Sequence, residues 1–225
     1  MFQRKGFFMK KIYAVNGSPR SNGNTAKILQ KALAGAAGTG ADTELFDLGK
    51  LNFSGCRSCF ACKLKNGDSF GKCALRDDLT PVLDKIINCD GLIMASPIYF
   101  GAESGLYRNF LERLFFPLLA YRNPPESLAP KKFNIFFVYT MNIPESLIKE
   151  YGYKEHLEKS AEFPQLIFGS TRVKTLYVYD TYQFDDYSKY DSSMFDVAHK
   201  LEVKKTLWQK YLQDAYDFGR ELALY

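Results

Sequence analysis

The sequence predicts an α/β protein: a parallel five-stranded sheet in the order 2-1-3-4-5, covered by helices on both faces as a three-layer α/β/α sandwich. Three observations predict it. Short β-branched or aromatic runs alternate with segments of helical period along the 225 residues. The run FNIFFVYT at 133–140 is apolar almost throughout, as a strand covered on both faces has to be. The two stretches that exceed ordinary connection lengths, 48–78 and 180–192, both follow strands, and ligands of doubly wound sheets sit at that carboxyl edge.

The elements follow in order. KIYAVN at 11–16 is a buried strand, and 25–36 sets Ile28, Leu29, Ala32, Leu33 and Ala36 on one helical face. Residues 43–47 give the second strand. Thr80, as N-cap before Pro81 at the first helical position, opens a helix with Val82, Leu83, Ile86 and Ile87 inward. GLIMAS at 91–96 is the third strand, and 105–117 is a helix burying Leu106, Phe110, Leu111 and Leu114. After the strand at 133–140, Pro144 opens a further helix, 175–179 forms the fifth strand, and 193–222 is a long terminal helix broken once.

Composition bounds the function. With 46% hydrophobic and 24% charged residues the chain folds around a core, which excludes disorder. No apolar run approaches the ~18 residues of a membrane span, so no membrane partner is expected. The net charge of +5 is spread along the chain, and nucleic acid is not implied. Residues 1–8 read as an extension or a misassigned start, and 9–225 as a single domain. The opening segment lacks a secretory hydrophobic region and the five cysteines do not form a disulfide framework, so a cytoplasmic location is expected. Nineteen Phe, 15 Tyr and one Trp supply more planar surface than a core of this size needs, which makes a flat ligand worth seeking.

The first strand is followed by GSPRSNGNT at 17–25 and then at once by a helix. Such a loop gathers free N–H donors at the positive end of a helix dipole. Ser18, Asn22, Asn24 and Thr25 add polar side chains and Arg20 adds charge. The spacing is neither that of a nucleoside triphosphate loop nor that of a dinucleotide turn, so a monophosphate fits better. The plainer alternative is an ordinary loop capped by Asn24 or Thr25. After the third strand comes SPIYFG at 96–101, where Pro97 and Gly101 shape a tight turn around Ile98 and Tyr99 and Phe100 offer faces to a planar ring. Thr140, Met141 and Asn142, after the fourth strand, are expected to form a third wall, the plainer alternative being a helix-entry turn before Pro144.

GSPRSNGNT and SPIYFG together resemble the NAD(P)H-dependent FMN reductase family of flavodoxin-like flavoproteins. The resemblance spans nearly the whole chain from Met9. It implies that Ser18, Arg20, Asn24 and Thr25 hold the FMN phosphate, that residues 97–101 run beside the isoalloxazine ring, and that the protein is a homo-oligomer, dimer or tetramer, in which a neighbour helps close the pocket.

Cys56, Cys59 and Cys62 in tandem C-x2-C spacing, followed by Cys73, depart from a plain flavodoxin-like chain. Here the resemblance is to iron-sulfur flavoproteins, relatives of those reductases, and it implies a [4Fe–4S] cluster on the four thiols. In that family the fourth cysteine follows more closely, whereas here residues 63–72 intervene. Three readings stay open: a cluster, a redox-active dithiol, and reduced thiols packing the excursion. Cys89 reads as a small buried hydrophobe. The Tyr- and Asp-rich segment 180–192 reads as a flavin cover, a protomer interface or a solvated loop anchored by its aromatics. His156 and His199 have no partner spacing that suggests catalysis.

The function these residues predict is electron transfer from NAD(P)H through FMN to a quinone, a flavin or another small acceptor. An iron-sulfur electron-transfer protein and a flavodoxin-type carrier are the alternatives. A carrier is expected to be strongly acidic, which +5 opposes.

Overall fold

A computed structural model describes residues 9–148 and 150–225; the expected extension at 1–8 lies outside the described residues. In chain order the elements are β1 (Lys11–Asn16), α1 (Asn24–Ala37), β2 (Asp42–Asp47), α2 (Leu79–Ile86), β3 (Gly91–Tyr99), β4 (Ala102–Glu103), α3 (Gly105–Leu118), β5 (Leu119–Ala120), β6 (Glu126–Ser127), β7 (Asn134–Thr140), α4 (Glu145–Ile148), α5 (Tyr153–Phe168), β8 (Val173–Val178), α6 (Val197–Lys205) and α7 (Leu207–Leu224).

The main sheet runs β2-β1-β3-β7-β8, every one of these pairs parallel. This is the 2-1-3-4-5 order of the sequence reading. Alternation along the strands splits the core in two. Ile12, Ala14, Ile93, Ala95, Phe136 and Val138 pack under α1 and α7, while Tyr13, Val15, Leu92, Met94, Ile135 and Phe137 pack under α2, α3 and α5. Asn16 is in register with Asp47 and Ala95, and Thr140 with Pro97 and Val178, so the loops leaving β1, β3, β7 and β8 emerge along one edge.

On the first face, α1 and α7 touch through backbone. A Cβ added at Gly35 would lie 1.9 Å from the Tyr216 carbonyl oxygen, and one at Gly219 1.8 Å from that of Ala32. Only hydrogen fits between these helices. Among the described residues, no helix is long and apolar enough to cross a membrane.

Several boundaries differ from the sequence reading, each for a local reason. Thr80 is not the cap of α2: the helix begins at Leu79, whose N–H donates to Asp77 Oδ1 at 3.2 Å, and the Thr80 hydroxyl turns back to the Leu75 carbonyl at 3.0 Å. Pro81 still falls in the first turn, where its missing N–H costs nothing. The third strand runs on to Tyr99 because Ile98 and Tyr99 pair antiparallel with Glu103 and Ala102. The fifth strand covers 173–178, and Pro144 is followed by the single turn α4 rather than by the whole of the next helix. The terminal helix starts at Val197, where Asp196 accepts from the His199 N–H at 3.0 Å, and its one break falls at Thr206.

Candidate functional site

The loop after β1 is wired from within. Asn16, fully buried, donates to Asp47 Oδ1 at 2.9 Å and accepts from the Ser18 N–H at 3.1 Å; Ser18 Oγ in turn accepts from the Arg20 N–H at 3.1 Å. These bonds shape the turn without using the first N–H groups of α1. Gly23 is the N-cap, and no side chain caps the helix. Asn24 and Thr25 therefore do not serve as caps. Thr25 shares a 2.7 Å hydrogen bond with Thr140 that ties the loop to the end of β7. The Gly17 N–H donates to the Ala95 carbonyl at 2.8 Å, and the Ser104 hydroxyl donates to the Gly17 carbonyl at 2.6 Å. The loop thus hangs from both β3 and the cap of α3.

SPIYFG is a hairpin. Its tip, Phe100 and Gly101, has φ of 51° and 83°, the paired positive values of a type I′ turn. A Cβ on Gly101 would come 2.7 Å from the Tyr153 ring. Phe100 adopts a left-handed conformation that costs a non-glycine residue on the order of 1 kcal/mol, and its side chain is wholly exposed.

The third wall is pinned from the C-terminal side. Lys200, 4% exposed, donates to the Asn142 carbonyl at 2.8 Å and to Asp180, which also holds His199 Nε2 at 2.5 Å. Burial opposes ionisation of Asp180, yet the donors and charges of Lys200 and His199 outweigh it and hold the carboxyl below its ordinary range. Thr181 N–H donates to the Met141 carbonyl, and Asn142 Nδ2 donates to Gln183 Oε1 at 2.9 Å. Asn142 Oδ1 is buried and has no partner.

These segments enclose one cleft of about 350 Å3 at the carboxyl edge of the sheet. Of the residues singled out in the sequence, all line it except Asn22, Phe100 and Gly101. Asn22 lines a neighbouring cavity, and Phe100 stands outside at the hairpin tip. Sequence reasoning missed Pro19, Thr181 and Gln183 as lining residues. Arg20 donates to the Gln183 carbonyl at 3.1 Å and Asn24 to the Tyr182 carbonyl at 2.9 Å, so the segment after β8 is strapped across the loop. The aromatic richness of 180–192 was its only signal. The remainder of that segment folds around buried Tyr187, which meets Tyr182, Phe184 and Phe195 edge-on.

Cys56, Cys59, Cys62 and Cys73 border a separate cavity of about 10 Å3, the room of a single water molecule. All five cysteines are free thiols. Arg113, whose side chain is fully buried, donates to Cys73 Sγ at 2.9 Å, to the Ser54 carbonyl at 2.9 Å and to both oxygens of Asp77 at 2.7 and 3.1 Å. Its guanidinium, hydrogen-bonding first and charge with it, outweighs burial and keeps the Asp77 carboxyl below the usual range. Burial pushes the Cys62 thiol above its ordinary value. The donor set suits a metal cluster, but the space between the thiols does not, and among the described residues no three of His, Cys, Asp or Glu are gathered as ligands. Cys89 is wholly buried, and burial raises its thiol to about 12, as a small hydrophobe requires. His156 lies 3.9 Å from buried Glu103, and neither histidine reaches the cleft.

A doubly wound sheet with an uncapped helix N-terminus, a ring-sized cleft and a β3 hairpin at its carboxyl edge defines a flavodoxin-like protein. A family model described as NADPH-dependent FMN reductase matches residues 10–141. The chain belongs to that family. An iron-sulfur flavoprotein of Methanocaldococcus jannaschii is 35% identical over 103 residues, covering 46% of this chain and 51% of that one. Another from Clostridioides difficile is 35% identical over 118 residues, half of each chain. The chain spans about half the length of the curated relatives it matches. Among solved structures, an NAD(P)H:quinone oxidoreductase from Methanothermobacter marburgensis superposes with a TM-score of 0.71 at 14% identity, covering 95% of this chain and 99% of that one, which shows the shared fold.

Proposed function

We propose that the cleft holds FMN and that the chain is an NAD(P)H-dependent oxidoreductase passing electrons to a small acceptor such as a quinone. The observation that carries this reading is the convergence of the 17–25, 97–99 and 140–142 segments on one cleft with the bare end of α1 at its floor. The residues suit the group. Free N–H donors of α1, with Ser18, Thr25 and the charge of Arg20, take a phosphate. Tyr99 and Met141 offer walls to a planar ring, and the unpartnered Asn142 Oδ1 is the acceptor that an imide N–H needs.

When bound, FMN supplies hydride acceptance from the nicotinamide and release of electrons to the acceptor. Among the described residues Arg20 is the one charged side chain lining the cleft, and it stands at the phosphate end. The chain's contribution is positioning: the Thr25–Thr140 bond fixes the phosphate end against the ring end, and Thr181 and Gln183 exclude water from the far side. The five free thiols fit a reducing, cytoplasmic compartment. Exposed Tyr99 and Phe100 at the mouth support a homo-oligomer in which a second copy covers the ring.

The visible spectrum of freshly purified protein tests the proposal, followed by anaerobic stopped-flow mixing with NADH and NADPH. Flavin bands that bleach on mixing support it. A protein that takes up no added FMN overturns it. The names of the curated relatives favour a second reading, an iron-sulfur electron-transfer protein. It requires about four irons per chain after anaerobic purification.

A further inference from the structure

Next to the cleft, beyond the phosphate loop, lies a second cavity of about 120 Å3 between α1, the segment after β8, α6 and α7. Arg20, Asn24, Thr181 and Gln183 line both spaces and form the wall between them. The far side of that wall has a different chemistry. Lys27 from α1 and Lys204 from α6 join Arg20 at its rim, against Asp185 as the one carboxylate in the lining. Among the described residues none of these three cations is in an ion pair: Arg20 is held by a backbone carbonyl, and the Lys204 ammonium lies 4.2 Å from the centroid of the Tyr182 ring. Tyr182, Trp208 and Tyr211 supply aromatic surface on the same lining.

Cations without ion-pair partners beside half-buried aromatic rings suit a phosphorylated heterocycle, whose ring packs beside Trp208 and Tyr211 while its phosphate meets the cations at the rim. The enclosed volume of about 120 Å3 admits a single ring and is far less than a whole dinucleotide needs, so the phosphate attached to that ring stays at the rim, where the cations stand. A reduced nicotinamide dinucleotide carries such a group at the end remote from its reacting ring, and only the strap of Tyr182 and Gln183 separates this cavity from the cleft.

We propose that this cavity receives the adenosine-phosphate half of the nicotinamide co-substrate, with Lys27 and Lys204 as its charge-recognising residues. The proposal rests on the reading of the cleft as the FMN site. It makes recognition of the donor a property of the α1, α6 and α7 side of the molecule.

Trp208 is the single tryptophan of the chain, so its emission reports occupancy directly. The FMN-loaded full chain is titrated with 5′-AMP and with adenosine 2′,5′-bisphosphate, with adenosine and inorganic phosphate as comparisons. A saturable change in Trp208 emission is expected with the phosphorylated adenosines. The double substitution Lys27→Gln and Lys204→Gln weakens it roughly tenfold, and raises KM for the reduced dinucleotide more than it alters kcat. Flat emission with both nucleotides, an unchanged titration in the double variant, or a full response to inorganic phosphate alone overturns the proposal. Flavin absorbance is read in the same cuvette. A chain that retains no FMN refutes the cofactor reading, whereas one that holds FMN, is reduced by the dinucleotide and leaves Trp208 silent refutes this inference alone.

Discussion

Replacing Gly219 by alanine tests the claim that α1 and α7 meet backbone to backbone. On an exposed helix the change is favourable, by up to about 1 kcal/mol, because alanine is the better helix former. Here the new Cβ would sit 1.8 Å from the Ala32 carbonyl oxygen and 2.5 Å from its carbon. Relief to ordinary contact requires α7 to withdraw by roughly 1.5 Å. Neither obstacle is the flexible end of a side chain, so the helix as a whole has to move. Withdrawal loosens Ala215, Phe218 and Leu222 from Ile28, Leu29 and Ala32, all of them buried now. Overpacking of this kind costs about 3 kcal/mol, which outweighs the propensity gain and is a large share of the ~5–15 kcal/mol that holds a domain together. Urea unfolding followed by circular dichroism measures it. The midpoint is expected to fall at unchanged slope, while the matched control Gly105→Ala, whose Cβ meets nothing within 4 Å, stays level or rises. If Gly219→Ala is as stable as the natural sequence, the close approach is not real and the packing of this face is wrong.

Further outcomes follow from other contacts. Lys200→Met leaves Asp180 buried without its ammonium partner, and a loss of about 3 kcal/mol is expected, together with weaker FMN retention, since the Asn142 carbonyl loses its anchor. Because the folded-state pKa of Asp180 is depressed, the stability it contributes is fully present above its unfolded value of ~3.9 and is lost as pH falls through the lower folded value. Urea midpoints of natural and Lys200→Met protein should therefore converge in acid, and a gap that persists there contradicts the assignment. Phe100→Asn places a residue tolerant of the left-handed region at the hairpin tip and should raise stability by about 1 kcal/mol; an unchanged thermal midpoint would count against strain at that φ. Arg113→Met removes the buried clamp on Asp77, Cys73 and the Ser54 carbonyl, so Cys62 and Cys73 should react with a thiol reagent many times faster than in the natural chain, and equal rates would show that the clamp does not order the loop.

Much of this was legible in the sequence, because periodicity and loop chemistry are local. The alternation of elements announced a parallel sheet, the order 2-1-3-4-5 was the one expected of a flavodoxin-like chain, and the cleft was traceable through the loop at 17–25, the turn at 97–101 and the residues after β7. What escaped was set by contacts distant in the chain. Phe100 carries the aromatic ring that the motif offers to a ligand, yet hairpin pairing with Ala102 and Glu103 turns it to solvent. Thr181 and Gln183 face the cleft only because Lys200 and Asp180 pin their segment to Met141 and Asn142. Thr80 looked like a cap by its neighbours, but Asp77 lies closer to the free N–H. Nothing local announces that Arg113 is the residue around which the cysteine excursion is tied.

The hydroxyl of Ser104 joins two points on the carboxyl edge of the sheet that lie 87 residues apart in the chain. It donates to the Gly17 carbonyl and accepts from the Tyr107 N–H, so a single oxygen is shared between the start of the turn after β1 and the first coil of α3. The hairpin at 98–103 and the turn after β1 therefore hang from a common hinge pin, and a shift of either one has to stretch or break the same hydroxyl's bonds.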